Sequence, residues 1–172
     1  MNEDFLSLIR NARQLKASLS VVGPEKVLGE EEYADDILPF DLYRNTRQNI
    51  EKIADQINKS FYYKIYDGAA ILMRRLMEML LILTFKRIGQ EDSIRGFDGN
   101  YLQLSELINR SIQNKQLDLS RNAKAYLGIF KETGDLSAHN PFHNCRKKDL
   151  ELIQYQFRSL VEELFYKGGI LT

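Results

Sequence analysis

Residues 62–88 read YYKIYDGAAILMRRLMEMLLILTFKRI, and this stretch decides the fold. Apolar side chains leave few polar positions in it; they are Ala69, Ala70, Leu72, Met73, Leu76, Met77, Leu80, Leu81 and Leu83. A helix that is apolar around most of its circumference has to be surrounded by other elements. We therefore expect the Tyr62 to Ile88 segment to form the central and most buried helix.

Upstream of this segment the sequence predicts two helices separated by an irregular connection. Apolar side chains at steps of three and four predict a first helix from about Glu3 to Leu19. Residues 21–43 are acidic, have no sustained period and include two of the three prolines, so we expect an irregular connection. A second amphipathic helix should begin at Asn45 or Thr46, because either side chain can cap a helix.

Three amphipathic helices are predicted downstream. The first should begin near Tyr101, the second after a capping Ser120, and the last should cover about Lys147 to Tyr166. Within the second, Thr133-Gly134 interrupts the apolar pattern, so we expect that helix to end there. Residues 135–140 should then form a short turn of helix before the next proline.

The fold class follows from these segments. No run of alternating β-branched residues is long enough to propose a sheet. Helices packed on helices are therefore expected, an all-α bundle with an N-terminal helical extension. We divide the chain into residues 1–45, the extension and its acidic connection, and residues 46–172, the helical domain.

Composition excludes several classes of protein. Lys plus Arg and Asp plus Glu number 24 each, so the net charge is zero and any contact with nucleic acid has to be local. A single cysteine, Cys145, cannot form an internal disulfide, and the N-terminal residues lack the pattern of a secretion signal. No apolar run approaches the roughly 20 residues of a membrane span. We expect a cytoplasmic protein that makes no membrane contact.

Metal and cofactor chemistry has little basis in the sequence. His139 and His143 have Pro141 between them, which argues against a helical pair of metal ligands, and no third ligand is close. Cys145 lies near His143, but two such residues on a loop more often point in different directions. We expect neither a metal nor a cofactor.

One segment between two predicted helices combines several polar groups; residues 131–140 read KETGDLSAHN. It resembles the G-N-x-A-A-H segment of a bacterial HEPN-like domain of unknown function, with Gly134, Asp135, Ala138 and His139 at the matching positions. Residues 66–78, YDGAAILMRRLME, resemble the same family's Ala-rich helix followed by an Arg and a Leu-x-Glu. The resemblance extends from about residue 59 to residue 166.

The resemblance implies a small helical RNA-processing or nucleotide-binding domain that often forms homodimers. In catalytically active relatives an Arg followed by a polar residue precedes the His, and the pair cleaves RNA without metal. Here Gly134 and Thr133 occupy the corresponding positions, and the nearest basic residue upstream of His139 is Lys131. A phosphorane needs a cation close by, for which the fixed fork of arginine suits better than lysine. The resemblance therefore favours a module without catalytic activity.

Each candidate residue has a structural and a functional interpretation. His139 either ties a turn to a neighbouring helix or acts as an acid or base. Asp135 either caps that turn or takes part in binding. Arg74 and Arg75 either pair with Glu78 within the central helix or reach the His139 side. We expect a shallow cleft with two groups of residues, His139 and Lys131 as catalytic candidates and Asp135, Asn140, Arg74, Arg75 and Glu78 as binding candidates.

Three functions remain open from the sequence. The first is a non-catalytic HEPN-like module, expected as a homodimer, that binds RNA, a nucleotide or a partner protein, in a toxin-antitoxin or phage-defence setting. The second is a metal-independent endoribonuclease that uses His139, with Lys131 or Arg74 as the cation. The third is a structural interaction domain in which residues 30–36 and the first helix dock another protein.

Overall fold

The structure, a computed structural model, describes residues 36–170. These residues form six helices, which are α1 (Phe40–Tyr43), α2 (Gln48–Tyr62), α3 (Tyr66–Arg87), α4 (Leu104–Gln113), α5 (Arg121–His139) and α6 (Lys147–Lys167). A 3-10 turn, Glu91–Ile94, lies between α3 and α4, and the described residues contain no strand. The predicted all-α helical bundle is confirmed. The helix predicted over residues 3–19 lies outside the described residues.

Helix α3 is the centre of the bundle, as its apolar sequence predicts. It packs against α2, α4, α5, α6 and the 3-10 turn. Leu76 and Leu80 are completely buried, and the other side chains that project from α3 into the core are buried as well. Burying each large aliphatic side chain contributes roughly 1.5–3 kcal/mol, so this helix supplies a large share of the hydrophobic stabilisation.

The break between α2 and α3 differs from the sequence prediction. Helix α2 continues through Tyr62, and α3 begins only at Tyr66, because the left-handed backbone of Lys64 (φ 62°) separates the two. The predicted N-caps of α2 are also wrong. Asn45 has a left-handed backbone (φ 60°), and the Thr46 hydroxyl donates a hydrogen bond to the Tyr43 carbonyl instead of accepting one from α2.

Helix α5 is continuous, which corrects the predicted interruption at Thr133-Gly134. Gly134 lies within the helix and is buried at the crossing with α3, where a Cβ atom would come within 2.5 Å of the Arg74 Cβ. The glycine is required by the close approach of two helices and does not end α5. The Ser120 N-cap is confirmed, since its hydroxyl accepts a hydrogen bond from the Ala123 amide at 3.0 Å.

The residues before α1 are fastened to the bundle by side chains. Ile37 and Leu38 are completely buried. The Asn58 side chain accepts a hydrogen bond from the Leu38 amide at 3.0 Å and donates one to the Leu38 carbonyl at 2.7 Å. From α6, Arg158 donates to the Ile37 carbonyl at 2.8 Å. A segment without regular structure is thereby held by specific polar contacts.

The connection between α3 and α4 is organised around one carboxylate. Glu91 accepts hydrogen bonds from Arg95 at 2.5 Å and from the Tyr101 hydroxyl at 2.6 Å, and Lys86 lies 3.4 Å away. We call these four residues the Glu91 cluster. The backbone of Arg95 forms an antiparallel bridge with Tyr101, so that α4 begins at Leu104 and not near Tyr101 as predicted.

Candidate functional site

Charged side chains from α3 and α5 meet where the two helices cross. Arg74 Nε donates a hydrogen bond to Asp135 Oδ1 at 2.7 Å, and Lys131 Nζ donates one to Asp135 Oδ2 at 2.5 Å. We call these three residues the Asp135 cluster, and each of their side chains is about 30% exposed. Each oxygen of one carboxylate is thus bound by a different cation.

The three side chains of the Asp135 cluster come together through helical spacing on α5 and through the packing of α3 against α5. Lys131 and Asp135 are one turn apart on α5 and therefore lie on the same side of that helix. Arg74 comes from α3, and its Cβ, Cγ and Cδ atoms pack over Gly134. Without a side chain at Gly134, the guanidinium can lie directly beside the Asp135 carboxylate.

Opposing effects determine the protonation of Asp135. Burial is the largest single influence and by itself would raise the pKa of the carboxyl. The hydrogen bond from Lys131 and the charge of Arg74 act in the opposite direction, and together they hold the pKa below its usual value. Asp135 is therefore ionised at neutral pH.

A shallow cleft of about 480 Å³ opens beside this cluster. Three regions of the chain line it, namely the central helix α3, the start of α4 and the second half of α5. The lining residues are Arg74, Gln103, Leu104, Ser105, Lys131, Glu132, Asp135, Leu136, His139 and Asn140. The cleft therefore combines cationic, amide, hydroxyl and imidazole groups with two carboxylates.

The predicted site residues fall into two groups. Arg74, Lys131, Asp135, His139 and Asn140 line the cleft, with His139 exposed at the C-terminal end of α5. The other two predicted binding residues do not line it. Arg75 is exposed elsewhere on α3, and Glu78 lies 3.8 Å from Arg74 Nη1 as an intrahelical partner.

The capping role considered for Asp135 is wrong. Because α5 is continuous, Asp135 lies inside the helix and binds Arg74 and Lys131 through its side chain. The Arg74 pair with Glu78 does form, but the Asp135 carboxylate is closer, at 2.7 Å against 3.8 Å. Arg74 therefore links two helices.

The sequence did not identify five residues of the cleft, Gln103, Leu104, Ser105, Glu132 and Leu136. Glu132 and Leu136 lie inside the segment that the sequence singled out, so their positions on α5 could have been included. Gln103 and Ser105 had no such signal, because they come from the start of α4, which is distant along the chain. Only helix packing brings them to the cleft.

The Cys145 and His143 pair does not provide a nucleophile. Cys145 is buried, and burial, together with Asp149 and Asp67, raises the pKa of its thiol to about 11. Its backbone amide donates to Asp67 Oδ1 at 3.1 Å, which ties the loop before α6 to the start of α3. A thiol with so high a pKa is protonated at neutral pH.

Neither a metal-binding cluster nor a membrane-spanning helix is found in the described part of the chain. Within residues 36–170, no three His, Cys, Asp or Glu side chains come together as a metal site would require. Nor do these residues contain a helix with the length and apolar character needed to cross a bilayer.

Comparison of the chain with protein-family models, with curated proteins and with solved structures gives no significant match. The HEPN resemblance is therefore carried only by the short segments over residues 66–78 and 131–140.

Proposed function

We propose that the chain is a non-catalytic binding module, of the kind that the HEPN resemblance implies, whose cleft binds a phosphate group of RNA or of a nucleotide. One observation carries this proposal: a guanidinium from α3 and an ammonium from α5 come together in an open cleft. Arginine and lysine are the side chains that proteins most often use to bind phosphate.

The other groups in the cleft suit the rest of such a ligand. Gln103 and Asn140 each carry an amide that can donate and accept, and Ser105 carries a hydroxyl. Such groups can pair with a ribose or with the edge of a base. The cleft volume of about 480 Å³ lies in the range of small-molecule sites, so it suits one nucleotide better than a long strand.

The arrangement of charges argues for binding without cleavage. Cleavage of RNA by a histidine requires a cation that stabilises the charge of the phosphorane. No arginine precedes His139 on α5 after Arg121, so the arginine of the catalytically active relatives has no counterpart on this helix. Lys131 lies two helical turns before His139, at the opposite end of this part of α5.

The test compares neighbouring arginines on one helix. Binding of a short labelled RNA and of ATP is measured by fluorescence anisotropy and by competition, at low and at high salt. Arg74→Ala and Lys131→Gln should each weaken binding roughly tenfold or more at low salt, and less at high salt. Arg75→Ala is the matched control, because Arg75 is exposed and does not line the cleft.

Two results would overturn the proposal. One is the absence of binding to both RNA and ATP by the natural chain. The other is an equal loss of affinity in Arg74→Ala and Arg75→Ala, which would indicate a diffuse charge effect. Thermal unfolding of each variant is followed in parallel, and Lys131→Gln provides a second measure if Arg74→Ala fails to fold.

The endoribonuclease function rests on a different observation, the exposure of the His139 imidazole within the cleft. An imidazole in that position can reach a bound ligand and serve as an acid or a base. Incubation of labelled RNA with the natural chain and with His139→Ala, each with and without chelator, distinguishes this function. Metal-independent cleavage that is lost in His139→Ala would replace the non-catalytic proposal.

We also propose that two copies of the chain associate through the outer face of α6. Leu152, Tyr155 and Tyr166 are 65%, 76% and 72% exposed on that helix, although each carries a large apolar surface. Lys148 and Glu162 are exposed at equal sequence distances on either side of Tyr155. A two-fold axis near Tyr155 would therefore place Lys148 of each copy beside Glu162 of the other.

Light scattering after size exclusion tests this association. The natural chain should have the mass of a dimer, and Lys148→Glu should weaken the dimer by placing like charges together. Adding Glu162→Lys to Lys148→Glu should restore it, since the charges are then exchanged and complementary. A monomeric mass at high protein concentration would overturn the proposal, and so would a double variant as weak as the single one.

A further inference from the structure

Phe97 is a completely exposed aromatic side chain at the tip of a loop that is otherwise held in place. The Gly99 amide donates a hydrogen bond to the Gly96 carbonyl at 3.0 Å, so Phe97 and Asp98 are the two central residues of a tight turn. Below this turn, the Glu91 cluster closes the base of the loop. The fold therefore presents a large apolar side chain to solvent on an ordered support.

The charge beside Phe97 indicates which kind of surface it suits. The Asn100 side chain donates to Asp98 Oδ2 at 2.9 Å and the Asn100 amide donates to Oδ1 at 3.0 Å, and these hydrogen bonds hold the pKa of the Asp98 carboxyl below its usual value. A negative charge at the tip disfavours contact with an anionic bilayer or a nucleic-acid strand. Phe97 instead suits an apolar groove on a protein, with positive charge at its rim.

A groove of that kind lies between α2 and α3 of this chain. It has a volume of about 380 Å³, which is large enough for one phenylalanine side chain. Its lining residues are Gln56, Lys59, Ser60, Tyr63, Ile65 and Leu72, and we call it the α2–α3 groove. Tyr63 and Ile65 are 55% and 58% exposed, so much of their apolar surface is open to a partner.

The rim of the α2–α3 groove carries the opposite charge to Asp98. Lys64 directly precedes Ile65, is exposed, and forms no ion pair among the described residues. The lysine in the lining, Lys59, is paired with Asp55 at 2.6 Å and is neutralised by it. The net charge of these two lysines and Asp55 is therefore positive, which complements the carboxylate next to Phe97.

Phe97 and the α2–α3 groove lie at opposite ends of α3. Ile65 immediately precedes the first residue of α3, whereas the Glu91 cluster includes Lys86 from its last turn. At a rise of about 1.5 Å per residue, these two positions are roughly 30 Å apart along the helix. Phe97 therefore cannot reach the groove of its own chain, but it can reach the groove of a second copy placed end to end with the first.

We propose that the Phe97 turn of one copy docks in the α2–α3 groove of a second copy, with Asp98 beside Lys64. The contact joins two different surfaces, head to tail, and so differs from the two-fold contact at α6. It also lies outside the cleft at the Asp135 cluster, so it does not depend on ligand binding there.

The strength of this contact follows from its size. The ordered support of Phe97 limits the conformational freedom lost on docking, which favours association. One aromatic anchor nevertheless buries much less surface than a stable dimer needs, so the dissociation constant should be on the order of 100 µM or higher. The association should therefore become visible only at high protein concentration, above whatever assembly forms through α6.

Sedimentation velocity from about 10 µM to about 1 mM measures this association. The mass of the natural chain should continue to rise with concentration over this range. Phe97→Ser should weaken the association at least tenfold, because it removes the anchor. Phe142→Ser is the matched control, since Phe142 is 91% exposed on a different loop, and this variant should associate like the natural chain.

Mixing two variants tests whether the contact is head to tail. Ile65→Asp keeps Phe97 but places a negative charge in the groove, and α3 should be retained because aspartate is a favoured N-cap residue. Labelled Phe97→Ser, which has an intact groove, should bind Ile65→Asp, which has an intact anchor. Titration with unlabelled Phe97→Ser measures association through all other surfaces, and it should be roughly tenfold weaker.

Exchange of charges tests the pairing at the rim. Asp98→Lys should weaken the association about threefold or more, and adding Lys64→Glu to the same chain should restore it. The circular dichroism of each variant is followed in parallel. If Ile65→Asp does not fold, Lys64→Glu replaces it in the mixing experiment, because Lys64 is exposed and its charge reversal also impairs the groove.

Three results would overturn the proposal. One is association of Phe97→Ser that equals that of the natural chain. The second is an equal loss in Phe97→Ser and Phe142→Ser, which would indicate nonspecific contact between apolar side chains. The third is a mixture of Phe97→Ser and Ile65→Asp that binds no better than Phe97→Ser alone.

Discussion

The Glu91 cluster and the Asp135 cluster use the same chemistry in two different settings. In each, a carboxylate is bound by an arginine and approached by a lysine. The Glu91 cluster is local in sequence, since all its residues lie between 86 and 101. The Asp135 cluster joins α3 to α5, and its arginine is 61 residues from its carboxylate.

What surrounds each carboxylate explains the difference in role. Arg95 lies over the ring of Tyr101 at 4.3 Å and also donates to the Gly99 carbonyl at 2.6 Å, while the Tyr101 hydroxyl donates to Glu91. These contacts close the loop upon itself. The Asp135 cluster has no such aromatic cover among the described residues, and a cleft opens beside it. The first arrangement fixes a loop, and the second leaves charged side chains exposed at a cleft, as the proposed binding of phosphate requires.

Removing the close approach at Gly134 should have the largest effect on the Asp135 cluster. In Gly134→Ala the new methyl group would lie 2.5 Å from the Arg74 Cβ, which is attached to the α3 backbone and cannot move aside. The helices would have to separate, and the free energy of unfolding should fall by about 1–3 kcal/mol. Urea denaturation measures the change.

Gly128 provides the matched control for this substitution. It lies on the same helix and is exposed, and a methyl group added there would have no atom from elsewhere in the fold within 4 Å. Gly128→Ala should therefore stabilise the protein by about 0.4–1 kcal/mol, because alanine restricts the unfolded chain. Loss of stability in Gly128→Ala, or no loss in Gly134→Ala, would contradict this account of the crossing.

Neutralising Asp135 should have the next largest effect on stability. Asp135→Asn weakens two charge-assisted hydrogen bonds between partly buried groups and leaves Arg74 and Lys131 without their shared anion. The free energy of unfolding should fall by about 1 kcal/mol. Asp55→Asn is the control, since its pair with Lys59 is more exposed and lies within one helix. If the free energy of unfolding fell equally in the two variants, the contact between α3 and α5 would add no stability beyond that of an ion pair within one helix.

The Glu91 cluster should be visible in the pH dependence of stability. Hydrogen bonds from Tyr101 and Arg95 lower the pKa of Glu91 from 4.5 to about 2. A carboxyl group whose pKa is lower in the folded protein than in the unfolded chain stabilises the folded protein at any pH above the unfolded pKa. This stabilisation is lost as the pH falls through the folded-state pKa. Glu91→Gln should therefore lower Tm near neutral pH, and the difference from the natural chain should shrink between about pH 4.5 and 2. A difference independent of pH would contradict the ionic role of Glu91.

The smallest effect is expected at the tip of the same loop. Phe97 is completely exposed, whereas the residues that hold the loop, Arg95 and Tyr101, are partly buried. Phe97→Ser should change the free energy of unfolding by less than about 0.5 kcal/mol. Calorimetry compares the unfolding of this variant with that of Tyr101→Phe, which removes the hydroxyl bonded to Glu91. The comparison distinguishes the contribution of the loop tip from that of the residues that hold the loop. A large loss in Phe97→Ser would mean that the tip contributes to folding.

Helices with a strong apolar pattern were predictable from the sequence, and their ends were less so. The central position of α3 follows from its own side chains, and the Ser120 cap follows from its own hydroxyl. Gly134 was misread because a glycine after a helical pattern commonly indicates the end of a helix. The same residue inside a helix indicates a close crossing only when the neighbouring helix is known.

The candidate site shows the same limit. Lys131, Asp135, His139 and Asn140 belong to one short segment, so the sequence could group them. Selecting Arg74 over Arg75 required the structure, because adjacent residues of a helix point in directions about 100° apart and only one of them faces α5. Gln103 and Ser105 lie at the start of α4, and the sequence contained no signal that they belong to the site.

The sequence by itself determined the helical class and the buried central helix. These properties depend on the backbone hydrogen bonds within a helix and on the period of its apolar side chains, both of which are local. Only the tertiary structure decided that Arg74 binds Asp135 more closely than Glu78, and that a cleft opens there. That choice depends on how closely α3 and α5 approach at Gly134, a distance set by packing between residues far apart in the chain.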